Sequence, residues 1–197
     1  MLPIRLKLKK FKTSRFRLEQ NYYLKKWCSS LNAKTVINLG AEPDAPDKEG
    51  QKYKDYFPEA AFSALDQQIC NQVGYIQADL MEPLDHLGEF DLVLIMSVIE
   101  HIDKPWLAVP NIIDLIKPGG HLYVTMPWFY PSHPGPGFGD HWRATPSGVK
   151  ILFESLDLIE EASMPSSIVA FNDRKYYWRD KDTTSTGSNL LFRKPFL

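Results

Sequence analysis

The sequence predicts a doubly wound α/β fold: a mostly parallel seven-stranded sheet with helices on both faces and an antiparallel C-terminal hairpin. Three observations carry that expectation. Leu92–Met96 is a short apolar run without polar alternation, the pattern of a strand covered on both faces. Pro105 opens a helical stretch that closes at Lys117-Pro-Gly-Gly, after which His121–Met126 resumes a β-rich pattern. Strand-like and helix-like segments alternate along most of the chain, and two late strand candidates follow without an obvious helix between them.

The elements fall in order. Residues 1–14 read as a basic, irregular or weakly β arm, with Ile4, Leu6 and Leu8 alternating with Arg5, Lys7 and Lys9. The domain proper is expected over 15–197. Ser14 is placed to cap a helix over Arg15–Leu31 whose face carries Phe16, Tyr23, Leu24, Trp27 and Leu31. Lys34–Leu39 forms the first buried strand and ends at Gly40. Residues 41–60 hold Pro43, Pro46 and Pro58 and read as a loop with a short turn at Tyr53–Phe57. Ala61–Leu65 is the second strand, ending at Asp66, and Tyr75–Gln77 the third, ending at Asp79. After the fourth strand, Asp103 is a possible cap for the helix begun by Pro105, and Pro110 should kink or delay that helix. Residues 127–146 are rich in Pro, Gly and aromatics, a length and composition typical of a lid or binding loop. Thr145-Pro-Ser-Gly starts a helix to about Glu154, and strands follow near Leu158–Glu161 and Asn189–Arg193.

The 197 residues suit one domain with a sizeable core, and 44% hydrophobic with 24% charged residues is ordinary for a soluble globular protein. No apolar run approaches the ~18 residues of a membrane span. The N-terminus lacks the apolar core of a secretory signal, so a cytoplasmic setting is expected. Cys28 and Cys70 stand far apart without CxxC spacing, which gives no support for a zinc site and suggests reduced thiols. The net charge of −1 hides an asymmetry: residues 1–26 hold nine Lys/Arg against Glu19 alone. Such an arm could touch an anionic surface, be a solvated tail, or lie against its own acidic body.

Parallel sheets bind ligands at the carboxyl ends of their strands. Gly40, Asp66 and Asp79 stand at three such ends, with Ser97, Glu100 and His101 at a fourth. A carboxylate ending the second strand can accept both hydrogen bonds of a ribose diol. One ending the third can take an adenine amino group while the N–H of Leu80 faces a ring nitrogen. The first loop has no G-x-G-x-x-G, which argues against a dinucleotide.

With these residues in view, the chain resembles the class I S-adenosylmethionine-dependent methyltransferases over about residues 15–197. The pieces that carry the likeness are Val36-Ile-Asn-Leu-Gly-Ala-Glu-Pro, Tyr53-Lys-Asp-Tyr-Phe-Pro-Glu-Ala, Leu65-Asp-Gln, Gln77-Ala-Asp-Leu, Phe90-Asp-Leu-Val-Leu-Ile-Met-Ser-Val-Ile-Glu-His and Ile116-Lys-Pro-Gly-Gly. A further piece, His141-Trp-Arg-Ala-Thr-Pro-Ser-Gly, resembles the Tyr-Trp-Arg-Phe-Thr-Pro stretch of a small bacterial branch associated with sugar and polysaccharide biosynthesis. The resemblance implies S-adenosyl-L-methionine as cofactor. It assigns Gly40, Ala41 and Glu42 to the methionine part, Asp66 to the ribose, Asp79 and Leu80 to the adenine, and Ser97 and Val98 to the methyl-transfer side, with Gln67 a further cofactor-binding residue. The first loop departs from the family's acid-x-Gly-x-Gly, with Asn38 at the acidic position and Glu42 at the second glycine.

Transfer of a methyl group to a hydroxyl needs alignment and a base of near-neutral pKa. His101, His133, Asp140 and His141 are the candidates, with Arg143 a possible clamp for an acceptor's carboxylate or phosphate. Trp128, Phe129, Tyr130 and Trp142 could wall the acceptor or form the loop's own small core. The expected acceptor is a small molecule or glycan precursor. A catalytically silent binding or scaffold protein is the alternative. A nucleic-acid methyltransferase is a third reading, disfavoured by the acidic body and the lack of an Asn-Pro-Pro-Tyr element. The sequence does not reveal an oligomeric state.

Overall fold

The computed structural model describes residues 13–165 and 185–196. Most of the basic arm and the polar segment before the last strand lie outside the described residues. In chain order the elements are α1 (Arg15–Tyr23), β1 (Thr35–Leu39), β2 (Ala61–Asp66), β3 (Tyr75–Gln77), β4 (Phe90–Met96), α2 (Pro105–Asp114), β5 (Ile116–Pro127), α3 (Pro146–Leu152), β6 (Asp157–Pro165) and β7 (Ser185–Arg193). They build a seven-stranded sheet in the order β3-β2-β1-β4-β5-β7-β6. β1 to β5 run parallel, and β7 pairs antiparallel with both β5 and β6. The expected doubly wound sheet with an antiparallel end is what forms.

The central strands are apolar on both faces because both faces are covered. Ile37, Leu39, Val93, Ile95, Leu122 and Val124 pack with Ala108, Val109 and Ile112 of α2 and with Val149 and Phe153. The intervening residues Val36, Leu92, Leu94, Met96 and Tyr123 pack on the other side against Leu24, Trp27, Cys28, Tyr53, Tyr56 and Phe57. This period-2 split accounts for the unbroken apolar run at Leu92–Met96.

Local differences from the sequence reading have physical reasons. Ser14 caps α1, its hydroxyl accepting from the Arg17 N–H at 3.2 Å. The segment to Leu31 is one helical path, but its bonding changes to a π turn at Leu24–Cys28 and a 3-10 turn at Ser29–Leu31. Apolar spacing does not distinguish these ladders. Asn32, with φ +51°, stops the path in the left-handed conformation. Asp103 is not the cap of α2: Lys104 occupies that position without a side-chain capping bond, and the helix runs on through Pro110. β5 is longer than expected. Lys117-Pro-Gly-Gly belongs to it as a bulge, with a register shift opposite Phe90–Leu92, and Gly119 and Gly120 exchange backbone bonds with Lys194. The connections after β1, β2 and β3 hold only short turns, at Tyr53–Tyr56 and Asp85–Leu87, with no α-helix among the described residues.

At the amino edge of the sheet, Asp91 accepts from the N–H groups of Lys34 and Thr35 and pairs with Lys117 at 2.8 Å. Burial raises its pKa, but the Lys117 ammonium and the two N–H groups outweigh that and bring it down to about 2. A carboxyl lowered on folding adds stability above its unfolded pKa of about 3.9 and loses it as pH falls toward the folded value. Urea unfolding between pH 2 and 5 should therefore show a flatter acid limb for Asp91→Asn than for the parent chain. Identical limbs would show that this cluster does not carry the acid sensitivity.

Candidate cofactor pocket and active site

The register brings the strand tips together. Leu39 lies beside Leu65 and Ile95, and Asp66 lies beside Gln77. Gly40, Asp66, Asp79 and Ser97 therefore emerge along one edge, where they line a cavity of ≈ 640 Å³. That size accommodates a nucleoside-sized ligand with room beside it.

Each tip carboxylate is braced by its own loop. Asp66 Oδ1 accepts from the Gln68 N–H at 3.0 Å, and Asp79 Oδ1 accepts from the Met81 N–H at 2.9 Å. These Asx turns fix both side chains and leave Oδ2 of each without a protein partner among the described residues. Leu80 follows Asp79 on the cavity wall, its carbonyl held by Asn111 Nδ2 at 2.9 Å.

Gly40 has φ +69°, and a Cβ there would stand 2.5 Å from Val98 Cγ2. The turn after β1 thus passes the β4 tip with no room for a side chain, which is the close backbone approach a ligand-cradling loop needs. Glu42, at the place of the family's second glycine, accepts from Gln72 Nε2 at 3.1 Å on the exposed rim. Gln72 Oε1 in turn accepts from the Asp44 N–H, so the carboxylate is tied to the β2–β3 connection. Asn38 is buried, and its Nδ2 has no partner among the described residues.

At the β4 tip, Ser97 holds φ +58°, an uncommon conformation for a residue with a side chain. The buried amide of Gln20 in α1 supports this tip. Gln20 Oε1 accepts from Thr125 at 3.0 Å and Ser97 at 3.4 Å, and its Nε2 donates to Tyr53 Oη at 3.2 Å and contacts Met96 Sδ at 3.5 Å.

The Pro/Gly/aromatic loop supplies the remaining wall through His133, Gly137, Phe138 and Gly139. An ion pair pins it. Arg143 spans both oxygens of Asp140 and also donates to the carbonyls of Tyr130 and Pro131. Asp140 accepts the His133 N–H at 2.7 Å, and the Arg143 guanidinium holds its carboxyl well below the usual carboxylate range. The Glu100 carbonyl accepts the N–H groups of His141 and Trp142 at 2.7 and 3.2 Å, fastening the loop to the β4 exit.

The structure gathers Gly40, Glu42, Asp66 and Gln67 with Asp79, Leu80, Ser97 and Val98 around one cavity, and adds His101 and His133 to its wall. Ala41 stands in the same turn without lining the cavity. His141 turns away and pairs with Asp103 at 3.0 Å, the two side chains 40% and 70% exposed. Arg143 is committed to Asp140. Trp142 donates to the Ile102 carbonyl and packs edge-on against Trp106, while Tyr130 packs against Phe16. The loop's aromatic wall on the cavity is instead Phe138. Arg17 and Lys48 also reach the cavity, and no local sequence signal marks them. Burial of Glu100 was equally hidden; its only signal is its place beside His101.

Comparison with known proteins agrees with this geometry. Residues 53–124 match the family described as Methyltransferase domain. The chain is 30% identical over 92 residues to a ubiquinone biosynthesis O-methyltransferase of Cronobacter sakazakii, covering 46% of this chain and 32% of that protein. It is 30% identical over 98 residues to Methyltransferase str3 of Strobilurus tenacellus, covering 46% and 34%. The chain thus spans about a third of the length of these curated relatives. Among solved structures, the N-methyltransferase NodS of Bradyrhizobium japonicum in complex with S-adenosyl-L-homocysteine aligns with TM-score 0.62 at 15% identity, over 98% of this chain and 92% of that one. The 1,6-didemethyltoxoflavin-N1-methyltransferase of Burkholderia thailandensis aligns with TM-score 0.59 at 16% identity, over 92% and 79%. The chain thus shares the fold of these methyltransferases, and the segment from the turn before β2 to β5 matches the methyltransferase domain family.

Proposed function

We propose that this chain is an S-adenosylmethionine-dependent methyltransferase acting on a hydroxyl of a small molecule or glycan precursor. The observation that carries the reading is the convergence of Gly40, Asp66 and Asp79 on one cavity, with both carboxylates braced to present Oδ2. Asp66 holds the ribose diol, Asp79 with the Leu80 N–H reads the adenine, and the Gly40 turn passes under the amino-acid portion. The cofactor supplies an activated methyl group on a sulfonium; the protein supplies alignment and proton removal. His101 and His133 present imidazoles on the same cavity wall, where an acceptor hydroxyl can be deprotonated. Burial lowers the pKa of His101, outweighing the hydrogen bond to Gly139, which favours the unprotonated ring.

An oxygen acceptor is favoured by the likeness to the ubiquinone biosynthesis O-methyltransferase, and a small one by the cavity volume. The reading is tested by calorimetry with S-adenosylhomocysteine. Saturable one-to-one binding with a rise in melting temperature supports it. Absence of both at millimolar ligand sinks it and leaves the scaffold reading.

A further inference from the structure

Behind the two imidazoles of the cavity wall lies a carboxylate that the preceding account does not use. Glu100 sits in the turn Ile99–His101, is 0% exposed, and has neither side-chain oxygen hydrogen-bonded among the described residues. Burial pushes its pKa up to about 8. A buried carboxyl without donors is costly and calls for a partner.

Both histidines aim at it. His101 Nδ1 lies 2.6 Å from the Gly139 carbonyl, and His133 Nδ1 lies 3.1 Å from the Pro131 carbonyl. A carbonyl only accepts, so the tautomer of each ring that fits these contacts has its proton on Nδ1 and its lone pair on Nε2. Each Nε2 stands 3.9 Å from Glu100 Oε1, beyond hydrogen-bond reach. One ligand atom from each of the three residues lies within 4.8 Å of the others.

From this convergence we propose that Glu100, His101 and His133 bind one divalent transition-metal ion at the inner wall of the cavity. Two imidazoles with one carboxylate suit zinc, cobalt, manganese or iron better than magnesium or calcium, which prefer all-oxygen shells. Ligands about 2.1 Å from a tetrahedral ion stand roughly 3.4 Å apart, so the 3.9 Å approaches close by small side-chain rotations. The outer partners of such a site are present. The Gly139 and Pro131 carbonyls orient the rings, and Asp140, held by Arg143, lies 3.4 Å from His133 Nδ1. Three protein ligands leave coordination positions open. His101 and His133 line the cavity while Glu100 lies behind them, so those positions face the cavity. Resting on the methyltransferase reading, the open positions take the oxygen of the acceptor, and a compound with two adjacent oxygens occupies both. The ion then acidifies the ligated hydroxyl, whose proton leaves to solvent, in place of a histidine acting as base.

The test is titration of the full chain with cobalt(II) and with zinc(II), without cofactor, followed by calorimetry, visible absorption and thermal unfolding. The expected result is one ion per chain, a cobalt absorption band saturating at one equivalent, and a melting temperature raised by about 5–10 °C at a hundredfold excess over Kd. His133→Ala and Glu100→Gln should each weaken ion binding by about tenfold or more, whereas His86→Ala, on an exposed turn, should leave it unchanged. Glu100→Gln keeps the side chain's shape, and its ion-free unfolding curve reports directly whether it folds. No band and no stabilisation at millimolar ion would overturn the proposal, as would affinity unaltered in both cluster variants or equal affinity for magnesium. Ion binding without S-adenosylhomocysteine binding would leave this site standing and remove the methyltransferase reading; the converse would do the opposite.

Discussion

In an Asp66→Ala variant, calorimetric titration is expected to show S-adenosylhomocysteine binding about 30- to 100-fold weaker than in the parent chain. The size follows from what the side chain does. A carboxylate taking both hydroxyls of a ribose makes two charge-assisted hydrogen bonds, each of about 1.5–3 kcal/mol before water replaces part of the loss. The same variant removes the brace from Asp66 Oδ1 to the Gln68 N–H, which loosens the loop that carries Gln67 and Gln68 along the cavity wall. Asp66→Asn separates the two effects. An amide oxygen can still accept from Gln68 and hold the turn, while the charge and the second acceptor are gone, so its loss should fall between the parent and the alanine variant. If Asp66→Ala binds as tightly as the parent, the ribose is not held at the end of β2, and the orientation given to the cofactor is wrong.

Gly40→Ala is expected to destabilise the protein by about 2–5 kcal/mol, measured by urea unfolding, and to abolish cofactor binding in whatever fraction remains folded. Two costs add. A residue with a Cβ pays about 1–2 kcal/mol in the left-handed region that Gly40 occupies at φ +69°. The new methyl would also meet two Val98 carbons at 2.5 and 2.7 Å, an overpacking penalty of about 1–3 kcal/mol. The double variant Gly40→Ala/Val98→Ala should recover the second cost and not the first. A single variant as stable as the parent would show that the β1 turn does not pass the β4 tip as closely as described.

Much of this site could be read along the chain because it lies at strand ends. Gly40 follows directly on β1, Asp66 is the last residue of β2 and Asp79 stands two residues beyond β3, and pairing those strands in parallel is enough to align them. The strand expectations fell close to the observed bounds for β1 to β4. The two late strands extend further, β6 to Pro165 and β7 back to Ser185, because they complete each other's ladder across a long separation. The β5 bulge escaped for the same reason: Gly119 and Gly120 are held by Lys194, more than seventy residues on. Asp103 looked like a cap because caps are local, yet His141 takes its carboxylate. The grouping of Glu100, His101 and His133 has no spacing signature. It exists because Asp140 and Arg143 fold the loop back over the β4 exit, and only then does an ordinary Glu-His pair acquire a third member.

The buried amide of Gln20 has a wider consequence. It joins a largely polar helix to Thr125, Ser97, Met96 and Tyr53, and the carbonyl of the same residue accepts from Tyr123 Oη at 2.8 Å. Undocking α1 would strand all of these groups in a dry interior at once, so partial detachment is the least favourable state. The first helix and the tips of β4 and β5 should then open as a single cooperative unit, with their backbone amides exchanging deuterium at one common rate although they are far apart in the chain.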